Sequence, residues 1–288
     1  MQHAMKRILT ATLLMLALPV FSRAGNIVTD SLRSRILDAT VPYKVYLPDG
    51  FGKGEKTYPA VYLLHGLYGT CDDWDRRGSV KLVADELIGS GEAIEMVIIM
   101  PNAGHPDIHH VQNGYFNVPG WRYEDFFFQE LMPAVEQKYR AGGAKGKRAV
   151  MGLSMGGGGS TVYSQRHPDC FSSCYAMSAW LDQEMDGAVS EEEKADKYYL
   201  VRQSVHDHST LAFIDQADED TLERLRTVRW FFDCGDDDFL LGLSMHIHLK
   251  MRDKKVKSEL RVRNGAHNWE YWHLALREAL PFASRNFD

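Results

Sequence analysis

The chain has 288 residues, 44% of them hydrophobic and 25% charged, with a formal net charge of −6. That length suits one large α/β domain, and no Pro/Ser-rich linker or internal repeat divides it. An acidic chain with no basic block is poorly suited to hold a polyanion, so nucleic acid is excluded as the expected partner.

The first two dozen residues read as a leader. Lys6 and Arg7 precede an apolar run from Ile8 to Phe21, and Ser22 and Ala24 supply small residues at a cleavage site. That charged, apolar, small-residue order is the pattern of a secretory signal peptide. As a membrane anchor the run is too short: fourteen residues at about 1.5 Å each span about 21 Å, against a hydrocarbon core of about 30 Å. The expected division is a signal peptide over 1–24 and a catalytic domain over 25–288, secreted or periplasmic and outside the membrane after cleavage. Losing Lys6, Arg7 and Arg23 with no acid takes the net charge from −6 to −9.

Beyond the leader, apolar runs with strand character alternate with helical patterns. This predicts a mainly parallel sheet with helices on both faces. Ile27 to Leu47 reads as edge strands, closed by Pro48-Asp49-Gly50. Pro59 to Leu64 is a buried strand ending at His65-Gly66, and Ser79 to Ile88 is helical. Met96 to Met100 is a strand stopped by Pro101. Glu124 to Tyr139 is helical, with Pro133 kinking or restarting it. Arg148 to Met151, Phe171 to Met177, Val228 to Phe232 and Leu260 to Val262 are further strands, and a last helix starts near Trp269. Between Leu181 and Thr227 the sequence turns polar and helical, longer than the roughly 2–6 residues usual between strand and helix. It reads as an insertion before the penultimate strand, lying over the carboxyl edge of the sheet, where open α/β sheets place ligands.

Gly152-Leu153-Ser154-Met155-Gly156 is a G-x-S-x-G motif with a strand leading in and a helix leading out. The sharp turn exposes the serine hydroxyl, and the residues two before and two after must be small. A phosphate loop would need Gly-Lys-Ser/Thr, which is absent. Serine attacks only when an adjacent base takes its proton. In folds built on this turn the chain order is nucleophile, acid, base. His267, among twelve histidines, follows the last strand and precedes the last helix, on the same edge as Ser154; His273 lies within the helical pattern and reads as an ordinary helix residue. The acid should follow the preceding strand, where Asp233, Asp236, Asp237 and Asp238 compete, and spacing from Gly235 favours Asp238. An oxyanion needs backbone N–H donors. Met155, directly after the nucleophile, supplies one, and Leu67, in the turn after His65-Gly66, the other. His65 reads as a structural residue of that turn.

The four cysteines, Cys71, Cys170, Cys174 and Cys234, make no metal or redox spacing. Cys174 and Cys234 fall in apolar strands, where a free thiol behaves as a small hydrophobe. His105, His109 and His110 cluster, as do His206 with His208 and His246 with His248, but without Cys or H-E-x-x-H company they read as surface histidines. No metal or other cofactor is expected. Trp180, Trp121 and Trp269, with Tyr115, Phe116 and Tyr123, follow strand ends at the same edge and are the candidate walls of an aromatic substrate cleft.

The chain resembles the esterase family of α/β-hydrolases that holds feruloyl esterases, acetylxylan esterases, S-formylglutathione hydrolases and mycolyltransferases. The resemblance rests on Leu64-His65-Gly66 with Trp74 downstream, Met100-Pro101-Asn102-Ala103, Gly152 to Gly157, Cys234 to Phe239, and Gly265 to Trp269. These run in order over nearly the whole chain after residue 40. The resemblance implies an α/β-hydrolase fold, a Ser154–His267–Asp238 triad, the Leu67 and Met155 amides as oxyanion donors, and a small-molecule or oligosaccharide ester as substrate. Deacylation of feruloyl or acetyl esters of plant polysaccharide fits an exported chain. Acyl transfer to a sugar hydroxyl uses the same triad, and a non-catalytic carbohydrate-binding domain would leave it idle. The segment from Leu181 to Thr227 shows no family pattern.

Overall fold

The computed structural model describes residues 24–104, 114–185, 190–194 and 198–288. The leader expected over 1–24, Ala24 apart, and His105, His109 and His110 lie outside the described residues.

Eight strands form one sheet: β1 (Asn26–Arg33), β2 (Thr40–Leu47), β3 (Ala60–Leu64), β4 (Val97–Pro101), β7 (Arg148–Leu153), β8 (Ser173–Met177), β9 (Arg229–Gly235) and β10 (Ser258–Arg263). The remaining two, β5 (Asn117–Val118) and β6 (Trp121–Arg122), make a separate short ladder. The spatial order in the large sheet is β1-β2-β4-β3-β7-β8-β9-β10. The β1–β2 and β2–β4 pairs are antiparallel and every pair from β4 onward is parallel.

Parallel strands need helical crossovers, and these bury both faces of the sheet. The alternation along each strand shows the two cores. Tyr62, Leu64, Ile99, Val150, Cys174 and Phe232 point to one, with Phe127, Val162, Tyr163, Ile247 and Met251 packed over them. Val61, Leu63, Ile98, Met151, Tyr175 and Phe231 point to the other, covered by Val83, Leu87, Trp272, Ala275 and Leu276. A side chain of this size contributes about 1.5–3 kcal/mol when fully buried, so near-continuous apolar strands are what hold a two-faced sheet. On the outer strand β10 no residue is fully buried, with Glu259 and Val262 exposed and the rest half-buried, as suits an edge.

The expected helix over 124–139 is built in three pieces. A helical turn (Tyr123–Phe126) widens into a π segment (Phe127–Leu131) before an α-helix (Met132–Tyr139) whose first turn holds Pro133. Proline has no N–H to give to the preceding turn, and the wider π turn carries the chain through without breaking its direction. Among its described residues the segment 181–227 holds helices, as expected. It contains Glu191–Lys194, Tyr199–Asp207, Thr210–Gln216 and Glu219–Leu225. Ser209 and Asp218 start the last two by accepting the N–H groups of Ala212 and Thr221, the usual role of such residues at a helix N-terminus.

All four cysteines carry free thiols. Burial pushes the Cys174 and Cys234 thiols up to about 12 and Cys71 up to about 11. Among the described residues no helix is long and apolar enough to cross a membrane.

Candidate active site

Strand β7 ends at Leu153 and a helix begins at Met155, so Ser154 alone makes the turn. Its φ of 53° and ψ of −117° are a strained conformation for a residue with a side chain, of the kind stored at functional sites. The turn is pinned from three directions: the Ser154 N–H donates to the Met177 carbonyl, and the Ser154 carbonyl accepts from Gly158 and Trp180. The small residues of the motif have a measurable reason. A Cβ on Gly156 would lie 2.6 Å from the carbonyl oxygens of both Leu64 and His65, and one on Gly152 would lie 2.6 Å from the Gly156 carbonyl.

The loops after β9 and β10 are laced together. Asp236 N–H donates to Arg263 O, Asp237 N–H to Gly265 O, and the Asp236 carboxylate accepts the Gly265 N–H. Gly235 sits so close to Gly265 that a Cβ there would come within 2.1 Å of its carbonyl oxygen. This lacing sets Asp238 against His267. Ser154 Oγ–H donates to His267 Nε2 at 3.0 Å, and His267 Nδ1–H donates to Asp238 at 2.9 Å. The structure therefore brings together Ser154, His267 and Asp238. Of the competing acids, Asp236 and Asp237 are exposed. Asp233 is fully buried beneath the site, bound by Arg263 and the hydroxyls of Tyr175 and Tyr271.

Burial pushes the Asp238 carboxyl up, but donors outweigh it: His267, the Leu240 N–H and Ser178 hold it below its ordinary 3.8. The carboxylate stays ionised, as an acid that fixes an imidazole tautomer must.

Met155 opens its helix and Leu67 follows Gly66 in the turn after β3; neither amide has an acceptor among the described residues. A helix start adds partial positive charge at the first of these. His65 is spent on the turn. Its Nδ1–H donates to the Gly66 carbonyl and its Nε2 accepts the Ala103 N–H, while burial pushes its pKa down. It is a neutral structural group.

Around Ser154 and His267 opens a cleft of about 910 Å³ walled by Leu67, Tyr68, Leu153, Trp180, Phe239 and Trp269, with Asp182 to Glu184 from the inserted segment. Trp180 and Trp269 are thus where the sequence puts them. Trp121 is not: it is only 2% exposed, and its indole N–H donates to the Ala103 carbonyl. Tyr115 and Tyr123 are fully buried, and Phe116 stacks on His208 at 4.3 Å. These four fill the core under the loops, because a large ring at a strand end gains more from packing than from standing in water. Three residues that sequence reasoning missed complete the site. Trp272 sets its ring edge-on to His267 at 4.9 Å and gives its indole N–H to the buried Ser178 hydroxyl at 3.0 Å. Ser178, at φ 46°, is one of the donors to Asp238. Phe239 lies beside His267. Only Phe239 had a signal, as an apolar residue in an acidic turn.

Of the remaining histidines, His206 donates from Nδ1 to the Gln183 carbonyl and His248 Nδ1 is hydrogen-bonded to the Ser258 hydroxyl. Among the described residues no group of three or more His, Cys, Asp or Glu side chains could hold a metal ion.

An eight-stranded sheet in this order, with a serine at a strained strand–helix turn and His267 and Asp238 brought to it on the loops after the last two strands, defines an α/β-hydrolase. The family model described as Putative esterase matches residues 34–283, and the chain belongs to that family. A solved ferulic acid esterase is 47% identical, with a TM-score of 0.87, over 93% of this chain and 100% of that one. An endo-1,4-beta-xylanase/feruloyl esterase of Xylanibacter ruminicola is 29% identical over 51% of this chain and 20% of its own length. An esterase of Mycobacterium tuberculosis is 33% identical over 46% of this chain and 28% of its own. The match thus spans less than a third of either curated relative.

Proposed function

We propose that this protein is a serine carboxyl-ester hydrolase that removes hydroxycinnamoyl groups, feruloyl above all, from plant polysaccharide or its oligosaccharides. The observation that carries the reading is the unbroken chain from Ser154 Oγ through the His267 ring to the buried Asp238 carboxylate. In the reading, His267 takes the Ser154 proton as Oγ attacks the ester carbonyl. The negative charge on the carbonyl oxygen is met by the Leu67 and Met155 amides. His267, now charged and steadied by Asp238, gives the proton to the departing alcohol, leaving an acyl-Ser154 that water opens by the same steps in reverse.

The feruloyl preference draws on the ferulic acid esterase that is 47% identical and on the cleft walls Trp180 and Trp269. Flat rings stack at about 0.5–1.5 kcal/mol per good pair. Export belongs to the same reading: the leader-like order of residues 1–24 would place the enzyme outside the cell, with its polymeric substrate. The test is kcat/KM on methyl ferulate and on a simple acetyl ester, for wild type and Ser154→Ala. Ferulate should be the better substrate, and the variant should lose about 10³-fold or more. A variant keeping a tenth of the rate removes Ser154 from the mechanism. Ready acetyl-ester turnover with ferulate ignored hands the reading to acetyl-ester hydrolysis.

A further inference from the structure

Phe239 is the most exposed large hydrophobic side chain among the described residues, at 78%, and it borders the cleft. An isolated exposed apolar residue needs no explanation; this one has an unusual neighbour and an unusual anchorage. Its ring centroid lies 4.6 Å from that of His267, tilted by 44°. Its backbone cannot drift, because Asp238 before it is fixed to His267 and Leu240 after it donates its N–H to the Asp238 carboxylate. A helix then starts at Leu241, whose N–H returns to the Asp238 carbonyl. The phenyl ring stands out into solvent on the flank of the catalytic base, carried by a backbone fixed on both sides.

The chemistry decides what that flank faces. In the tetrahedral adduct the carbonyl oxygen turns to the Leu67 and Met155 amides. The alcohol oxygen must lie within reach of His267 Nε2, which protonates it as the carbon–oxygen bond breaks. The alcohol half of the ester therefore leaves past the imidazole, and Phe239 is the solvent-exposed ring beside it, Trp272 being buried. Amide and guanidinium groups for a polar partner stand on the same rim: Asn268, whose side-chain oxygen caps the last helix, and Arg77, whose guanidinium lies 5.0 Å from the Trp269 ring centre. An exposed flat ring with polar groups around it matches a sugar, whose C–H face is apolar and whose edge carries hydroxyls.

We infer that Phe239 is the platform of a leaving-group subsite that stacks the sugar ring bearing the ester, and so selects glycosyl esters over simple alkyl esters. This rests on the ester-hydrolase reading above. The experiment compares kcat/KM for a feruloylated arabinoxylan oligosaccharide and for methyl ferulate in wild type, Phe239→Ala and Phe239→Trp. The two substrates share the acyl group and differ only in the alcohol. The ratio of the oligosaccharide to the methyl ester should fall roughly 3- to 10-fold in Phe239→Ala, the loss of about one ring contact, and stay near wild type in Phe239→Trp. Thermal melting of each variant checks that the fold is retained. An unchanged ratio in Phe239→Ala overturns the inference while leaving the hydrolase reading in place. A wild type inactive on both esters sinks the hydrolase reading and the subsite with it.

Discussion

Substituting Gly156 by alanine should damage stability and catalysis together, and the structure gives the size of the effect. The new methyl carbon would stand 2.6 Å from two backbone oxygens, those of Leu64 and His65. Close carbon–oxygen contacts settle at about 3.3–3.6 Å, so roughly 0.7–1 Å must open between the nucleophile helix and the turn after β3. Neither side can yield by rotating a side chain, since both obstacles are main chain. Overpacking of this kind costs about 1–3 kcal/mol, or roughly 2–12 °C in Tm at about 2–4 °C per kcal/mol. The displaced parts are the two that carry the Met155 and Leu67 amides, so the gap between the proposed oxyanion donors widens by a similar amount. A misplacement near 1 Å can cost about 10²-fold in rate, and that loss should fall on kcat rather than KM. Methyl ferulate hydrolysis followed by absorbance, with a calorimetric melt of the same sample, measures both. A Gly156→Ala protein that melts within a degree of wild type and keeps its kcat would show that the turn and helix are not in contact as described.

Three further expectations come from the residues around the triad. Ser178→Gly tolerates the positive φ while deleting the hydroxyl that accepts the Trp272 indole and donates to Asp238. It should lower stability, read as a fall in Tm, by the roughly 1–3 kcal/mol of an unpaired buried donor and reduce kcat with little change in KM; a rise in KM alone would argue against a positioning role. The depressed Asp238 carboxyl contributes stability that is complete above its ordinary value of 3.8 and is lost as pH falls through its lower folded value. Below about pH 4 wild type should therefore lose Tm faster than Asp238→Asn, and parallel profiles would refute the pairing. Trp180→Ala should cut methyl ferulate turnover more than acetyl-ester turnover, since a small acyl group does not reach the lost wall; equal losses would place Trp180 in the fold rather than the cleft.

The sheet and the loops that meet at Ser154 are legible in the sequence because both depend on local signals. Buried strands must be continuous apolar runs, and the serine turn tolerates only glycine at 152 and 156. The acid was harder, with four carboxylates in six residues; the turn from Gly235 decides it by facing Asp238 inward and leaving Asp236 and Asp237 in water. Cleft and core aromatics were not separable. Trp180 follows β8 and Trp121 opens the short β6, and only the tertiary arrangement shows that one lines the cleft while the other lies beneath its loops. The helix Leu241–Asp253 has a faint pattern, with Ser244, Ile247 and Met251 its only buried residues, so apolar periodicity hardly marks it. Ser178 is invisible for another reason: a serine at positive φ has no compositional signature, and its partners are 60 and 94 residues away.

The four free thiols bear on how such a chain can be made. An oxidising compartment cross-links cysteines through thiolates, and burial keeps Cys174, Cys234 and Cys71 protonated far above physiological pH. Folding therefore has no oxidative step to wait for and no pairing to get wrong. A reductant has no bond to break, so the domain can mature on either side of a membrane that separates reducing from oxidising solvent. For a chain that starts in one and is proposed to work in the other, the fold places no redox condition on where it forms.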